Sequence, residues 1–485
     1  MSLRSQADAE MTTKASTVTG RVSGPPIPDS ATQLPLIPFD IARPESETVH
    51  RVFRPIHYLG SKLRMVGAVV DAIDKVDPNR GRVCDLFAGS GTVSAMLAQS
   101  RSVTAFDIQE YSRVLCSALL NPVAMTESHS LNLEPVETSN LAYATASIVA
   151  YEDECIKLAS EGDSDYLNDF LENGSLTAFL SGECEGNQPL RDALRETAGR
   201  LKEVGLYRSS SSLTVRMFGG VYFSYSQAVQ LDALLDAVFS FPSRQRDVLL
   251  AAVLSTASEV VNTVGKHFAQ PIRPRDKQGL TKRNLLNKIQ KDRSADVPAI
   301  FGRWLKRYQA VIRTSRPHHV LRADYVDALS SLTNDVRVVY ADPPYTRDHY
   351  SRYYHVLETL SLRDNPAVAR VRVNGVERIS RGVYRVDRHQ SPFCIRSQAA
   401  SAFSELFKGV AQKQVPLVLS YSPYASGSDA RPRVLIIDDI VSLAREEFGQ
   451  VIVETAGPFS HNKLNNSRLN KLRTYNAESL IICRP

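Results

Sequence analysis

Long apolar runs are missing from this sequence: none approaches the ~18–20 residues that crossing a bilayer requires. The N-terminus also lacks the charged-then-apolar order of a secretory signal. Cysteine is sparse. The six residues, Cys84, Cys116, Cys155, Cys184, Cys394 and Cys483, are irregularly spaced and form no C-x-x-C pair. That pattern excludes a structural zinc site and a disulfide framework, and it makes a reducing cytoplasm the expected location. Acidic residues are scarce over one long stretch. From Lys266 to Arg322 there are 15 Lys/Arg against three acids, Asp276, Asp292 and Asp296, a local net charge of +12 in a chain whose total is +6. Such a local excess is what a polyanion-binding surface needs; a solvated helical face is the alternative.

What is present is typical of a globular protein with a real core: 43% hydrophobic and 23% charged residues over 485 positions, enough for two or three domains. Residues 1–50 are rich in Ser, Thr, Pro and Ala and lack apolar periodicity, so they are expected to form a disordered tail. Residues 51–120 then carry a strand, a Gly-rich turn, a helix and a second strand, running from Arg82 to Asp107. From 121 to 317 strand signals thin out and amphipathic stretches dominate, such as Ser226–Phe239 and Arg244–Val261. A helical insert of this size reads as a domain in its own right. Strands return over 318–485, at His319–Leu321, Val336–Tyr340, Pro416–Tyr421, Gln450–Thr455 and Leu480–Cys483. A helix is expected from Arg352 towards Leu362, and a basic loop or small β element over 363–396. The fold class is therefore α/β, a doubly wound Rossmann-like sheet with a large, mainly helical insert.

Two clusters carry chemistry. The first is Asp85-Leu86-Phe87-Ala88-Gly89-Ser90-Gly91-Thr92, directly after a strand. A Gly-x-Gly turn there lets the backbone approach a ligand at the carboxyl edge of a sheet. It is not a Walker loop, because no Gly-Lys-Ser/Thr follows, and Ser94 stands where a dinucleotide fingerprint has its third glycine. Asp107, ending the next strand, is placed to accept hydrogen bonds from two ribose hydroxyls; a strand-end cap is the alternative.

The second cluster is Asp342-Pro343-Pro344-Tyr345, after the apolar strand Val336–Tyr340. The prolines stop the ladder and fix a rigid, extended loop. An amino nitrogen conjugated to an aromatic ring becomes nucleophilic when a carboxylate and a backbone carbonyl accept both its N–H bonds. Asp342 and the Pro343 carbonyl can supply those acceptors, and Tyr345 a flat face for an extruded base.

These residues resemble the adenine-N6-specific DNA methyltransferases of bacteria and phages. The Tyr-x-Gly-x-Lys element of that family is matched by Tyr58, Gly60 and Lys62. The Phe-x-Gly-x-Gly element is matched by Phe87, Gly89 and Gly91, with Asp85 before it. Asp107 matches the acidic ribose ligand, Asp324 the position that reads the cofactor adenine, and Asp342, Pro343, Pro344 and Tyr345 the catalytic motif. The resemblance implies S-adenosyl-L-methionine as cofactor, held by Tyr58, Gly60, Lys62, Asp85, Phe87, Gly89, Gly91, Asp107 and Asp324. It implies direct in-line transfer, with no covalent enzyme intermediate and no metal. It covers about 50–130 and 316–485. Compact relatives often place target recognition just before the catalytic motif. Here the gap from Asp324 to Asp342 leaves no room, which moves recognition into the insert, into 363–396, or into both.

Basic residues beside these motifs are candidate nucleic-acid contacts. Lys266, Arg273, Arg275, Lys282 and Arg283 follow the polar run Asn262–Pro271, and Arg347 and Arg352 flank the catalytic motif. The alternative for the second pair is a helix N-terminus that packs Tyr353 and Leu357 inward. Near the C-terminus, Val418–Ser422 resembles a strand walling the target-base pocket, and His461–Asn465 also has family counterparts. The expected substrate is adenine in double-stranded DNA, with a restriction nuclease or other defence partner. RNA adenine-N6 methylation, a silent methyltransferase fold acting as a recognition subunit, and cytosine-N4 transfer are the rival readings.

Overall fold

Strand-by-strand alternation builds the protein around a sheet with both faces covered. The computed structural model describes residues 52–60, 62–123, 136–347, 349–422, 433–455 and 478–485. The expected tail over 1–50 and the His461–Asn465 run lie outside them. The strands are β1 (Arg82–Asp85), β2 (Val103–Asp107), β3 (His319–Arg322), β4 (Val336–Ala341), β5 (Arg370–Val373), β6 (Val376–Ile379), β7 (Leu417–Tyr421), β8 (Gln450–Thr455) and β9 (Ser479–Arg484). Seven of them form one sheet in the order β3-β2-β1-β4-β7-β9-β8. The strands from β3 to β7 in that order run parallel, and β9 is antiparallel to both β7 and β8. No helix among the described residues is long and apolar enough to cross a membrane.

Successive side chains on a strand point to opposite faces, and this sheet uses both. Val83, Val103, Ala105, Val338, Tyr340 and Val418 pack on one side with the helices Val66–Val76 and Thr92–Leu97. Cys84, Phe106, Val339, Ala341, Leu417 and Leu419 pack on the other with the helices Tyr325–Ser330, Ala399–Ala411 and Ile437–Glu447. The near-continuous apolar runs read as strands in the sequence are the product of this double coverage.

The insert contributes helices from Val136–Ser160 to Val297–Gln309. Read as a domain in its own right, it instead shares a hydrophobic core with the sheet's own helices. Tyr111, Val114, Leu115 and Ala118 of Glu110–Leu120, and Val356, Leu357 and Leu360 of His355–Leu362, are buried in one cluster with Leu231, Leu249, Val253 and Leu254 of the insert. Arg113 grips Asp247 across this seam with two bonds of 2.7 and 2.8 Å. The physical reason is that Glu110–Leu120 and His355–Leu362 each carry more apolar surface than the sheet alone can cover.

The helix expected from Arg352 to Leu362 is two helices, Tyr350–Tyr353 and His355–Leu362, broken at Tyr354. Tyr353 and Leu357 are both buried, as the packing alternative had it. Residues 363–396 hold the β5–β6 hairpin, turned by Asn374 and Gly375 at φ 50° and 83°. Two consecutive positive φ values match the right-handed twist of a two-residue hairpin.

Inside the insert, Asp232 is fully buried on the helix Tyr225–Phe239 and accepts the N–H groups of Thr214 (2.9 Å) and Val215 (3.0 Å). It thereby caps the helix Leu213–Phe218 from a neighbouring element. Asp232→Ala is expected to leave two buried donors unpaired, each costing ~1–3 kcal/mol, as read from urea unfolding at neutral pH. A loss below about 1 kcal/mol would contradict this account.

Candidate active site

The strand order reverses between β1 and β4, so the loops that follow them diverge and leave a crevice at the carboxyl edge of the sheet. The cavity found there is lined from β1 by Asp85, Phe87 and Gly89, from β2 by Asp107, and from β4 by Asp342, Pro343 and Pro344. Tyr58, Gly60, Lys62 and Asp324 complete the set expected from the sequence. Gly91 sits behind this wall. Gly89 and Gly91 have φ values of 55° and 76°, in the left-handed region. A Cβ on Gly89 would lie 2.8 Å from the Tyr58 hydroxyl, so glycine is required by contact as well as by backbone.

Asp107 is fixed by two backbone donors. Its Oδ2 accepts the N–H of Gly89 and its Oδ1 that of Gln109, both at 2.9 Å. Each oxygen keeps a second lone pair for hydroxyl donors. Burial raises its carboxyl, against those bonds. Asp324 caps the helix Tyr325–Ser330, accepting the N–H of Val326 at 3.1 Å, and also faces the cavity.

Lys62 is buried, and its ammonium lies 2.8 Å from Asp342 Oδ2 and 3.2 Å from Glu478 Oε1. Burial pulls the ammonium down, but the two carboxylates outweigh it and hold Lys62 well above its ordinary value. Glu478 also accepts the Tyr345 hydroxyl at 2.9 Å and that of Ser420 at 3.4 Å. It went unnoticed in the sequence because it matches no motif. The only available signal was topological: a strand antiparallel to its neighbour begins where the parallel strands end, so the residue before β9 arrives at the catalytic edge. Tyr345, read as a stacking face for a base, is not on the cavity wall. Its ring is buried beside Tyr421, at 5.1 Å, with the Arg433 guanidinium 4.9 Å from its centre.

Tyr58 stacks on Tyr354 at 5.0 Å and 13°. The Tyr354 hydroxyl accepts the N–H of Leu59 at 2.6 Å and donates to the carbonyl of His57 at 3.2 Å. The tyrosine run after Asp342-Pro343-Pro344-Tyr345 is thus the support on which Tyr-x-Gly-x-Lys rests. The basic loop contributes too: His389, Ser391 and Pro392 line the cavity.

The expected nucleic-acid contacts separate into two groups. Arg273, Arg283, Arg347 and Arg352 are exposed. Lys266 is a correction. Its ammonium is committed internally, 3.0 Å from Asp292 and 2.9 Å from the Val261 carbonyl. Arg275 faces Asp165 and Glu172 at 3.5 and 3.6 Å, and Lys282 donates to the Arg273 carbonyl at 2.6 Å. Asn262 and His267, in the run read as able to reach base edges, are buried. Asp292, together with Asp165 and Glu172, answers this part of the basic segment from within the insert.

Asp85 is buried at the floor of the cavity, and its Oδ2 accepts the Ser94 hydroxyl at 2.6 Å. Burial pushes its carboxyl up to about 7, although that bond draws it down. The folded protein therefore holds this proton more tightly than the unfolded chain. The resulting stability is complete below the ordinary value of 3.8 and is lost as pH rises through about 7. In urea unfolding, Asp85→Asn is expected to gain on the wild type as pH rises across that window. A constant difference between the two proteins would refute the assignment.

Four carboxylates, a ring of tyrosines and apolar floor residues make this a cavity for a ligand bearing hydroxyls and positive charge. A polyphosphate would be repelled by the same acids. The chain is 22% identical over 415 residues to the modification methylase LlaI of Lactococcus lactis subsp. lactis. That match covers 85% of this chain and 52% of the relative, so the chain spans about half the length of the curated protein it resembles. Residues 58–169, from the Tyr-x-Gly-x-Lys element through the Gly-rich turn and into the insert, match the model of the family described as D12 class N6 adenine-specific DNA methyltransferase.

Proposed function

We propose that the protein transfers the methyl group of S-adenosylmethionine to the exocyclic N6 of adenine in double-stranded DNA. Its biological setting would be the modification arm of a restriction-modification or other defence system, in the cytoplasm, alongside a nuclease or other defence partner. The observation that carries this reading is the meeting of Asp342 and Pro343 with Asp107 and the Gly89 turn on one cavity wall. When bound, the cofactor supplies an electrophilic methyl on a sulfonium centre. Asp107 holds the ribose hydroxyls, Asp324 the adenine edge, and Tyr58 and Gly60 the methionine end. Asp342 and the Pro343 carbonyl accept the two N–H bonds of the target amine, which frees its lone pair for in-line attack.

Glu478 sets the charge of this arrangement. A lone Lys62 beside Asp342 would neutralise it. Here Glu478 draws on the same ammonium, so Lys62 is not committed to Asp342 alone. Asp342 thus remains an acceptor for the amine hydrogens and offsets the positive charge that grows on the nitrogen during transfer. It is also the base within reach of the proton that the nitrogen must then release.

The direct test incubates the protein with radiolabelled S-adenosylmethionine and unmethylated duplex DNA, then identifies the labelled nucleoside. Label is expected in N6-methyldeoxyadenosine, and Asp342→Ala should reduce it by ~10²-fold or more. Label in cytosine, or in RNA alone, would defeat the reading. Glu478→Gln is expected to lower kcat by roughly tenfold, leave cofactor affinity nearly unchanged and shift the pH profile of kcat. Glu478→Asp should restore part of the rate. Equal losses in both variants with an unmoved pH profile would reduce Glu478 to a packing role.

A further inference from the structure

Some arginines near the β5–β6 hairpin are answered by carboxylates. Arg363 meets Asp236, Arg370 meets Glu183, Arg378 meets Glu185, and Arg385 meets Asp364 and Asp387. Others are not: Arg273, Arg352, Arg381 and Arg388, like Arg372 in β5, form no ion pair among the described residues. Arg352 and Arg388, from two segments of the chain, flank one ring, that of Tyr384. The guanidinium of Arg352 lies 5.1 Å from the centre of the Tyr384 ring and that of Arg388 lies 5.0 Å from it. The Tyr384 hydroxyl donates to the carbonyl of Ala269, which fixes the ring against the end of the insert. Arg381 donates to the carbonyl of Ile272 at 2.7 Å, next to Arg273 in the chain.

Clustering positive charge without a counter-charge is unfavourable, and Arg381 and Arg388 feel it, while Arg352, drawn down by burial, is raised overall by its bond to Tyr384. Burial, then the charge of Arg273, lowers Arg381, with Glu172 opposing; burial, then Arg352, lowers Arg388. Glu172 is already engaged at 3.6 Å with Arg275. Arg273, Arg352 and Arg381 are exposed and Arg388 is half-buried, so the group is open to an anion from solution. Its position fits that role. Arg352 follows Ser351 and Arg388 precedes His389, and both of those neighbours line the cavity that holds Asp342.

We infer that Arg352, Tyr384 and Arg388, extended by Arg381 and Arg273, form a phosphate clamp on the backbone of duplex DNA beside the target nucleotide. The aromatic ring holds the two guanidiniums in fixed planes, so their N–H forks are aimed before DNA arrives. This inference deepens the proposed reaction and rests on it for the identity of the polymer. Duplex DNA is favoured over single strands because the arginines are spread over a surface, with one ring already covered by cations and no row of open aromatic faces for stacked bases.

The test is fluorescence anisotropy with a labelled duplex, read as a function of salt, using the full chain. The Arg352→Ala/Arg388→Ala double variant is expected to bind about tenfold or more weakly. The slope of log affinity against log salt should fall by about one per arginine removed. Arg352→Lys/Arg388→Lys keeps the charges and folds without losing them, so it should retain most of the slope while binding less tightly. Cofactor affinity, measured on each variant, reports an intact fold. Unchanged affinity and slope in the folded Ala variant overturn the clamp, as does equal dependence on these arginines for structured RNA with no duplex binding. A wild type that methylates DNA while the variants bind normally would leave the proposed reaction standing and the clamp refuted. A wild type that binds duplex through these arginines but transfers no methyl group would do the reverse.

Discussion

One ammonium group draws three distant parts of the chain together. Lys62 comes from the segment before the first strand, Asp342 from the middle of the sheet, and Glu478 from the residue before the last strand. A buried charge must be paired, so the position of Lys62 constrains both carboxylates and each carboxylate constrains the strand that carries it. The tyrosines are arranged round this centre. Tyr345 holds Glu478 through its hydroxyl, and Tyr354 fixes the backbone beside Tyr58, which leads to Lys62. The rest of the cavity, with its acid-lined wall and glycine turn, is the ground against which this ion pair is set.

The sheet explains why such a meeting is possible. Parallel strands deliver all their carboxyl ends to one edge, and the reversal between β1 and β4 opens a crevice there. A purely parallel sheet would bring only residues that follow strands. The antiparallel β9 adds a residue that precedes one, which is how Glu478 reaches an edge otherwise made of strand ends. The same logic places the insert. It leaves the sheet after the helix Glu110–Leu120 and returns before β3, and its helices settle on the apolar flank which that helix and His355–Leu362 present together.

Much of this was legible in the sequence where periodicity or a turn carried it. The strand from Arg82 to Asp85, the glycine turn, and the strand leading to Asp342 could be read because short apolar runs, glycine and proline leave local marks. The helices Tyr225–Phe239 and Ser243–Val260 fell within a residue of their expected bounds. What could not be read depends on tertiary pairing. Nothing local distinguishes Lys266, bound to Asp292, from Arg273, which lies exposed; both stand in the same basic run. Nothing local breaks a helix at Tyr354 or turns the Tyr345 ring inward. Composition counts charges, but the fold decides which of them are already answered.

The shared core beneath the insert has a consequence for how this protein can change. Where recognition resides in a separate domain joined by linkers, specificity can pass from one enzyme to another by exchange of the whole module. Here removal of the insert would strip the apolar flanks of Glu110–Leu120 and His355–Leu362 and bare Tyr111, Leu115 and Leu357 to water. Change in the insert must therefore proceed by substitution, one side chain at a time, within a frame that cannot be taken apart.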